Sequence, residues 1–393
     1  MYVWTIIAMP PEAARTRSQG NPYAIARRTM TAEPYILWFR DCDKSCLPAV
    51  GGKNASLGEM TRAGLRVPPG FAVTTTAYRD FLEHSGLGPQ IMKMLNALND
   101  EDVNAVEQVS RDIRQVMGET PIPAGVEDAI RSAYETLAEQ CGMPDLPVAV
   151  RSSSTAEDLP GASFAGQQDT TLWVRRAGVV LVRTAICWSS LFTARAITYR
   201  NQMGFPHDKV LISVGIQKMA NAKTAGVMFT LNPVNGDRSK IAIDASWGLG
   251  ESVVSGVVTP DNFLVDKVTF DIIRRTASPK LIEYEPDPEA GRVQILEVPP
   301  ERQTQLCLSD EEVVGLAQLG KRIEQYYGAP QDIEWAIDRD LSFPGNIVVL
   351  QSRPETVWSQ QARSSITAHH STGVEGVLAT LLVPVRVKLP GRE

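Results

Sequence analysis

Two stretches near the carboxyl end of the chain alternate polar and apolar residues with a period of two, as β-strands between different surroundings do. In residues 332–337 (DIEWAI), Asp332 and Glu334 fall on one face and the intervening residues are apolar. In residues 347–353 (IVVLQSR), Gln351 and Arg353 share a face in the same way. Because only residues 338–346 separate the two stretches, we predict a pair of antiparallel neighbours. This pairing constrains how residues 332–353 fold.

The predicted hairpin would bring two carboxylates, an amide oxygen and a guanidinium group together. Hard oxygen ligands suit Mg²⁺, which takes one or two carboxylates and completes its shell with phosphate oxygens. A solvated polar face is the alternative, but these polar residues flank strongly apolar strands. We therefore predict a Mg²⁺ site at Asp332, Glu334 and Gln351, with Arg353 beside it.

A second polar feature follows a buried strand. Residues 148–150 (VAV) predict the end of this strand, and Arg151 comes directly after them. The planar fork of donors on an arginine suits phosphate oxygens better than the point charge of a lysine. Residues 152–155 (SSST), followed by Gly161 and Gly166, predict a donor-rich loop able to fold over a ligand. A strand followed by an ordinary polar turn is the alternative.

The segment 51–57 (GGKNASL) carries a further cation. Lys53 follows two glycines and stands at the predicted start of a short helix that ends at Gly64. A lysine is unfavourable at the positive end of a helix dipole, and a bound anion would compensate for it. The order of Gly, Lys and Ser/Thr is not that of a Walker loop. The segment is consistent with an anion site but does not require one.

The remaining patterns predict a mixed chain of the α+β class. Apolar residues recur at helical spacing in residues 103–117 and 126–141, and we assign both stripes to the core. A helix is predicted over residues 187–203, and a capping box at Ser309 begins another that ends at Gly328. Strands are predicted at residues 210–217, 226–230, 241–245, 262–265, 272–275 and 293–298, the last three extending one sheet.

Composition narrows the classes of partner. The chain has 393 residues, of which 43% are hydrophobic and 21% charged, enough for a large core in two or three domains. Its formal net charge of -6 argues against a protein that binds nucleic acid or membranes mainly by electrostatics. Five scattered cysteines and four histidines argue against a disulfide framework and a zinc site. We expect reduced thiols and a cytoplasmic protein.

Six motifs occur in order along the chain, namely residues 51–57, 149–153 (AVRSS), 157–167 (EDLPGASFAGQ), 247–251 (WGLGE), 332–335 (DIEW) and 351–356 (QSRPET). Together they closely resemble the nucleotide-binding region of the phosphoenolpyruvate synthase (pyruvate, water dikinase) family. Pyruvate, phosphate dikinase and rifampicin phosphotransferase share that region. The resemblance covers about residues 35–358 and implies an ATP-grasp fold, in which two to three subdomains clamp ATP between sheets.

The resemblance implies which residues contact the phosphates. Lys53 and Arg151 resemble the phosphate-binding cations, and Gly166 and Thr170 resemble members of the loop that covers the phosphates. Arg353 resembles the arginine on the γ-phosphate. The catalytic residues implied are Lys53, Arg151 and Arg353, because phosphoryl transfer needs positioning and charge neutralisation more than covalent chemistry.

The resemblance also implies an adenine site and a metal site. The segment that holds adenine corresponds to residues 217–219, with the side chain of Gln217 and the backbone of Lys218 and Met219. The Mg²⁺ ligands correspond to Glu334 and Gln351, with Asp332 close by. ATP and Mg²⁺ are therefore the expected cofactors.

These motifs also divide the chain into predicted domains. Residues 1–34 are expected to be a disordered extension or a mis-assigned start, with Met30 as the natural first residue. Residues 35–205 form the N-terminal ATP-grasp subdomains, and residues 206–358 form the C-terminal one with the adenine and Mg²⁺ sites. Residues 359–393 are expected to be a flexible tail.

The resemblance implies a phosphotransferase that lacks its acceptor. Family members continue into a swivelling domain with a phosphorylated histidine, whereas here the resemblance stops near Val357. His369 and His370 in the tail lack the sequence context expected around that histidine. We expect the chain to pass phosphate from ATP to a histidine on a separate swivelling protein subunit, with pyruvate as the final acceptor. A truncated gene product is the alternative to a split enzyme.

Three other functions remain open. The chain can be the ATP-binding subunit of a different phosphotransferase, like phenylphosphate synthase or rifampicin phosphotransferase. It can be a carboxylate-activating ligase on the same fold, although no separate constellation for a second substrate is visible. It can also be a non-catalytic ATP-binding remnant. The retention of all five charged and amide site residues argues against this last function. Those residues are Lys53, Arg151, Glu334, Gln351 and Arg353.

Overall fold

The structure of the chain is a computed structural model that describes residues 34–99, 102–155 and 170–358. Statements about the fold and the site concern these ranges. The predicted extension before Pro34, the loop that contains Gly166, and the tail that contains His369 and His370 lie outside them.

A five-stranded antiparallel sheet forms the first half of the fold. Its strands are β1 (Ile36–Trp38), β2 (Gly70–Val73), β3 (Val148–Ser154), β4 (Thr170–Val174) and β5 (Ile212–Lys218). They lie in the order β1-β2-β5-β3-β4. The central strand β5 pairs with β2 on one side and β3 on the other, and it is buried along almost its whole length.

A six-stranded antiparallel sheet forms the second half. Its strands are β6 (Ala222–Phe229), β7 (Lys240–Trp247), β8 (Asp261–Asp266), β9 (Ile272–Thr276), β12 (Gln331–Asp338) and β13 (Ile347–Pro354). They lie in the order β13-β12-β6-β7-β8-β9. The predicted antiparallel pairing of the last two strands is confirmed, with Asp332 opposite Arg353 and Glu334 opposite Gln351. The predicted strands at residues 226–230 and 241–245 correspond to β6 and β7, which are antiparallel neighbours.

Ten α-helices and three short 3₁₀ turns connect the strands within the described residues. Helices α2 to α7 pack with the five-stranded sheet, and α10 packs with the six-stranded sheet. The helices are α1 (Leu47–Arg62), α2 (Thr75–His84), α3 (Leu87–Asn96), α4 (Val103–Glu119), α5 (Ala124–Gln140), α6 (Ala177–Ser189), α7 (Ala194–Met203), α8 (Glu251–Val254), α9 (Pro300–Gln303) and α10 (Asp310–Tyr327).

Local signals fix several of these boundaries. The predicted capping box of α10 is confirmed: the Ser309 hydroxyl accepts from the Glu312 amide, and the Glu312 carboxylate accepts from the Ser309 amide. Gly328 ends this helix in a left-handed conformation at φ 72°. The predicted single helix over residues 187–203 is wrong. A 3₁₀ turn at Ser190–Phe192 breaks it, and the Thr193 side chain caps the new helix by accepting from the Ala196 amide.

One strand prediction also fails. Residues 293–298 do not extend the six-stranded sheet. They correspond to β11 (Arg292–Glu297), which pairs with β10 (Ile282–Asp287) in a separate hairpin. The sequence of β10 (IEYEPD) is largely polar and contains Pro286, so it lacks the usual strand signal. The hairpin lies against the end of β7, where the Leu249 amide donates to the Tyr284 carbonyl.

The mixed α+β class is therefore what the structure shows. The predicted domain boundaries stay predictions, and the two sheets divide after β5, which lies beyond the predicted division at residue 205. No single helix in the described ranges is long and apolar enough to cross a membrane. The bent pair Ala177–Phe192 and Ala194–Met203 meets that criterion only when its two parts are taken together.

Candidate functional site

A cavity of about 480 Å³ lies between the two sheets, and we call it the intersheet cavity. Small residues in its wall leave this space open, because alanine side chains fill little volume. They are Ala149, Ala220, Ala222, Ala225 and Ala336. Six of the residues predicted to bind nucleotide or metal also line the cavity, namely Arg151, Thr170, Gln217, Lys218, Met219 and Glu334.

Arg151 crosses this cavity from one sheet to the other. Its Nη1 donates to the Leu350 carbonyl at 2.9 Å. Its Nη2 donates to the Glu334 carboxylate at 3.0 Å and to the Gln351 amide oxygen at 2.8 Å. Only 15% of the Arg151 side chain is exposed, so these charge-assisted bonds are partly shielded from water. One guanidinium therefore gathers the oxygens of two strands of the six-stranded sheet.

The strand that carries Arg151 continues further than the sequence predicts. β3 runs to Ser154, so Arg151 lies within the strand rather than at its end. Ser152, Ser153 and Ser154 are buried strand residues, and the prediction that they begin a donor-rich loop is wrong. The reason is pairing: β3 is hydrogen-bonded to β5 through all three serines. The Ser153 hydroxyl accepts from the Asn54 amide at 3.3 Å, so it serves the fold.

Lys53 reaches the same strand from helix α1. The helix is broken at Gly51, which has φ 71°, and Lys53 stands in the first turn after the break. A Cβ at Gly51 would lie 2.3 Å from the Ser153 carbonyl oxygen, so this close approach requires a glycine. The Lys53 ammonium donates to the Ser152 carbonyl at 3.2 Å. The predicted helix start at Lys53 is thus correct for the second part of α1 only.

The residues predicted to bind metal form two neighbouring rungs of the β12–β13 hairpin. In the first rung, Glu334 and Gln351 both accept from Arg151, so their oxygens converge on one positive charge. In the second rung, the Arg353 Nε donates to Asp332 Oδ2 at 2.9 Å, and the Arg353 Nη2 lies 2.7 Å from the same oxygen in an ion pair. Burial raises the pKa of Asp332, although the Arg353 guanidinium acts to lower it.

This donor set fits Mg²⁺ in its chemistry. Two carboxylates and one amide oxygen are hard ligands, and the first rung already holds a cation between its oxygens. Within residues 34–99, 102–155 and 170–358, no group of three or more His, Cys, Asp or Glu side chains is placed to hold a metal ion. A metal here would therefore depend on the Gln351 amide and on oxygens that its ligand brings.

The predicted adenine segment lies in the wall of the intersheet cavity, at the end of β5. Gln217 is 2% exposed, and its side-chain amide donates to the Pro68 carbonyl at 3.3 Å. The backbone amides of Lys218 and Met219 donate to the carbonyls of Pro69 and Pro147. Because both amides already have partners, a base bound here would use other atoms of this segment.

Two predicted residues at the phosphate end have different outcomes. Thr170 is the first residue of β4, lies opposite Arg151 and lines the cavity. Gly166 lies outside the described residues. Lys53, Gln351 and Arg353 are outside the lining itself, although Gln351 is bonded to Arg151.

Sequence reasoning assigned no role to Glu251, which also lines the cavity. It stands in the first turn of α8, directly after the glycines of the segment 247–251. Partial desolvation raises the pKa of its carboxyl group. The motif WGLGE could have indicated that Glu251 lies at the site, because its glycines allow the chain to turn sharply before this residue. The turn is at Gly248, where φ is 71°.

Comparisons with known proteins match most of the chain. A family model described as pyruvate phosphate dikinase, AMP/ATP-binding domain, matches residues 47–373. A protein named "Probable phosphoenolpyruvate synthase" from Staphylothermus marinus is 47% identical over 346 residues, covering 83% of this chain and 42% of the relative. A protein of the same name from Methanothermobacter thermautotrophicus is 44% identical over 356 residues, covering 90% of this chain and 51% of the relative.

A third relative is named "Phosphoenolpyruvate synthase" and comes from Pyrococcus furiosus. It is 40% identical over 378 residues, covering 87% of this chain and 45% of the relative. The chain thus spans about half the length of the curated relatives that it matches.

Proposed function

Because this chain belongs to the pyruvate phosphate dikinase, AMP/ATP-binding domain family, we propose that it binds ATP and Mg²⁺ between its two sheets in an ATP-grasp arrangement. It then transfers a phosphoryl group to a histidine on a separate swivelling domain. Pyruvate is the final acceptor in this proposal, by analogy with the relatives named phosphoenolpyruvate synthase. The observation that carries the proposal is the convergence of Arg151, Glu334 and Gln351 at the wall of the intersheet cavity.

The size and lining of the intersheet cavity support a nucleotide as the ligand. Its volume of about 480 Å³ falls in the usual range for small-molecule sites. The wall is apolar at Met219, Ala220 and Leu249 and charged at Arg151 and Glu334. An apolar region beside a charged one suits a molecule with a flat base and a phosphate chain. We therefore place adenine against residues 217–220 and the phosphates towards Arg151.

The residues of this chain supply positioning and charge. Arg151 and Lys53 hold phosphate oxygens, and Arg353 reaches the γ-phosphate from the neighbouring rung. Glu334 and Gln351 hold Mg²⁺, with Asp332 nearby, and the bound ion neutralises the charge of the phosphate oxygens. No side chain needs to form a covalent bond, because phosphoryl transfer is accelerated by in-line positioning and electrostatic stabilisation.

The proposal places the acceptor histidine outside residues 35–358. Within the described ranges, the Arg200 guanidinium donates to one of the histidines, His207, through Nε, and the other, His84, bonds the backbone of its own helix. Neither lines the intersheet cavity. In this proposal, the histidine that accepts the phosphoryl group reaches the intersheet cavity from a separate domain.

The nucleotide part is tested by thermal unfolding. ATP with Mg²⁺ should raise the melting temperature, because a ligand that binds the folded state stabilises it. Arg151→Ala should remove most of this shift, since it deletes charge-assisted bonds in a partly desolvated cavity. Lys209→Ala, which removes an exposed lysine paired with Asp208, is the control and should keep the full shift. Equal shifts in Arg151→Ala and Lys209→Ala would refute the assignment.

The acceptor part is tested with labelled ATP. The isolated chain should show negligible pyruvate-dependent ATP consumption and no acid-labile phosphohistidine. Adding a protein that carries a swivelling histidine domain should restore both, with the label on that protein. Label on the isolated chain that disappears in a His369→Ala, His370→Ala double variant would show instead that the tail is the carrier.

A further inference from the structure

A second cavity, of about 510 Å³, lies against the other side of the predicted adenine segment. We call it the outer cavity. Lys218 and Met219 line both cavities, so this short segment separates them. The wall of the outer cavity is mainly apolar and includes one indole ring, three prolines and two methionines. These residues are Trp173, Pro144, Pro147, Pro288, Met143 and Met219.

An irregularity in β4 directs Trp173 to this cavity. Val148 pairs with Val174 and Val150 pairs with Thr171, so two residues of β4 stand opposite the single residue Ala149. These residues are Leu172, which lines the intersheet cavity, and Trp173, which lines the outer cavity. A bulge of this kind changes the direction of a side chain. The β4 strand therefore contributes to both cavities.

The backbone of Trp173 adopts an unfavourable conformation. Its φ is 58°, in the left-handed region that a tryptophan rarely adopts. Such a conformation persists only where the surrounding structure imposes it, and it is concentrated at functional sites. The indole Nε1 is also buried without a hydrogen-bond partner among the described residues. Trp173, in the wall of the outer cavity, therefore has both an unfavourable backbone conformation and a buried indole N–H without a partner among the described residues.

The other polar groups of the outer cavity are mostly paired with one another. Arg175 donates to the Pro288 carbonyl at 2.7 Å and to Asp145. Asn221 donates to Asp340 at 3.0 Å. Lys218 differs, because its ammonium group has no hydrogen-bond or ion-pair partner in the ranges that the structure describes. The cavity therefore presents an aromatic surface and two charges without an ion-pair partner in the described ranges, the Lys218 ammonium group and the exposed Asp340 carboxylate.

We propose that the outer cavity binds a small planar aromatic carboxylate, with its ring against Trp173 and its carboxylate on the Lys218 ammonium group. Flat apolar surfaces of tryptophan, proline and methionine accommodate an aromatic ring, which gains both apolar burial and ring contacts. The carboxylate compensates the charge of Lys218 at a partly desolvated position. A neutral or cationic aromatic molecule would leave that charge uncompensated.

Occupancy of the outer cavity should also change nucleotide binding, and this second part rests on the proposed function. Lys218, Met219 and β4 border both cavities. A ligand that holds these residues in place lowers their conformational entropy, so that less of it is lost when ATP binds. We expect the aromatic carboxylate to tighten ATP binding by about 5-fold or more, the lower end of typical coupling. ATP should tighten binding of the carboxylate by the same factor, because coupling is reciprocal.

The experiment uses 2-naphthoate as the probe and the full chain without nucleotide, with binding measured by isothermal titration calorimetry. Saturable binding should be at least ~10-fold weaker for 2-naphthamide, which has the same ring and no charge. Lys218→Gln should weaken 2-naphthoate to the level of the amide. Trp173→Leu should weaken both probes. Lys209→Gln removes a lysine charge beyond the opposite end of β5 and should leave both affinities unchanged.

Three results would overturn the proposal. They are the absence of saturable binding, equal affinities in the wild type and Lys218→Gln, and displacement of 2-naphthoate by ATP, which would place the probe in the intersheet cavity. If Trp173→Leu fails to fold, the comparison of the two probes in the wild type and Lys218→Gln still decides the matter. Because the first titrations contain no nucleotide, their outcome is independent of whether ATP binds.

Discussion

The two rungs of the β12–β13 hairpin lie two residues apart on the same face, yet their charges are balanced in different ways. Glu334 and Gln351 receive their bonds from Arg151, which belongs to the other sheet. Asp332 receives its bonds from Arg353, its direct neighbour in the hairpin. Both pairs form within the hairpin, but the bonds that balance the charge of the first rung exist only when the two sheets are assembled.

Exposure sharpens the contrast between the two arginines. The Arg151 side chain is 15% exposed and serves three acceptors, and the Arg353 side chain is 46% exposed and is bonded to the Asp332 carboxylate. A buried guanidinium with several acceptors depends on its planar fork of donors, which a lysine cannot reproduce. An exposed pair depends mainly on charge, which a lysine keeps. Matched substitutions at the two positions should therefore differ strongly.

The largest effect is expected from Arg151→Lys. The lysine keeps the charge, but its single ammonium cannot reach Leu350, Glu334 and Gln351 in the same geometry. A lysine also cannot keep the paired phosphate contacts proposed for Arg151, and a hydrogen bond to a charged group is worth about 1.5–3 kcal/mol, so the affinity for ATP with Mg²⁺ should fall by up to ~10²-fold. Isothermal titration calorimetry measures this loss. An affinity within a few fold of the wild type would mean that charge alone suffices at this position.

A comparable loss, in catalysis rather than binding, is expected from Glu334→Gln. The substitution keeps the shape and hydrogen bonding of the side chain and removes the charge that Mg²⁺ requires. Phosphoryl transfer to the supplied acceptor should fall by at least ~10²-fold. ATP should still bind to this variant, with a lower affinity than to the wild type. The Mg²⁺ concentration that gives half-maximal ATP-dependent stabilisation should also rise.

Asp332→Asn is the matched control for Glu334→Gln, because it makes the same change in the neighbouring rung. Its effect on the Mg²⁺ requirement should be the smaller of the two, since its carboxylate is held by Arg353. Equal Mg²⁺ requirements in the wild type and Glu334→Gln would show that the Glu334 carboxylate has a structural role only.

A much smaller effect is expected from Arg353→Lys. The lysine can still pair with Asp332, whose side chain is 14% exposed, and it keeps the positive charge beside the proposed phosphate site. The affinity for ATP with Mg²⁺ should change by less than ~5-fold, measured in the same titrations as Arg151→Lys. A loss as large as that of Arg151→Lys would erase the distinction between the two rungs.

The smallest effect on ATP is expected from Ser56→Ala in helix α1. The Ser56 hydroxyl donates to the Ser352 carbonyl of β13 at 2.8 Å and links the helix to the six-stranded sheet. Its loss should lower the free energy of unfolding by about 1 kcal/mol, measured by urea denaturation, with ATP affinity nearly unchanged. Thr61→Ala is the control, because the Thr61 hydroxyl bonds the Leu57 carbonyl within the same helix. If Ser56→Ala and Thr61→Ala are equally stable, the link between helix and sheet carries no energy.

The contrast between the rungs also explains what could be predicted from the sequence. The Asp332–Arg353 and Glu334–Gln351 pairings follow from a period of two and a short connection, and both are confirmed. The membership in the phosphoenolpyruvate synthase and pyruvate phosphate dikinase group, inferred from six ordered motifs, is confirmed as well. Sequence patterns were sufficient for contacts between segments that are close together in the chain.

Features that depend on contacts between distant segments were missed. The bond of Arg151 to Glu334 joins residues 183 positions apart, and no pattern near either residue indicates it. The serines after Arg151 were predicted to begin a donor-rich loop, but pairing with β5 makes them strand residues. The bulge that turns Trp173 outward arises from the register of β3 against β4, which the sequence of β4 alone does not specify.

Helix α1 bonds to both sheets within one turn, through Lys53 to the Ser152 carbonyl and through Ser56 to the Ser352 carbonyl. The chain also passes from one sheet to the other at residues 219–221, between β5 and β6. Arg151 joins the two sheets at a third place, across the intersheet cavity, through its bonds to Leu350, Glu334 and Gln351. In Arg151→Ala, distances between spectroscopic labels placed across the mouth of this cavity should therefore spread over a wider range than in the wild type, while α1 and residues 219–221 still hold the sheets together.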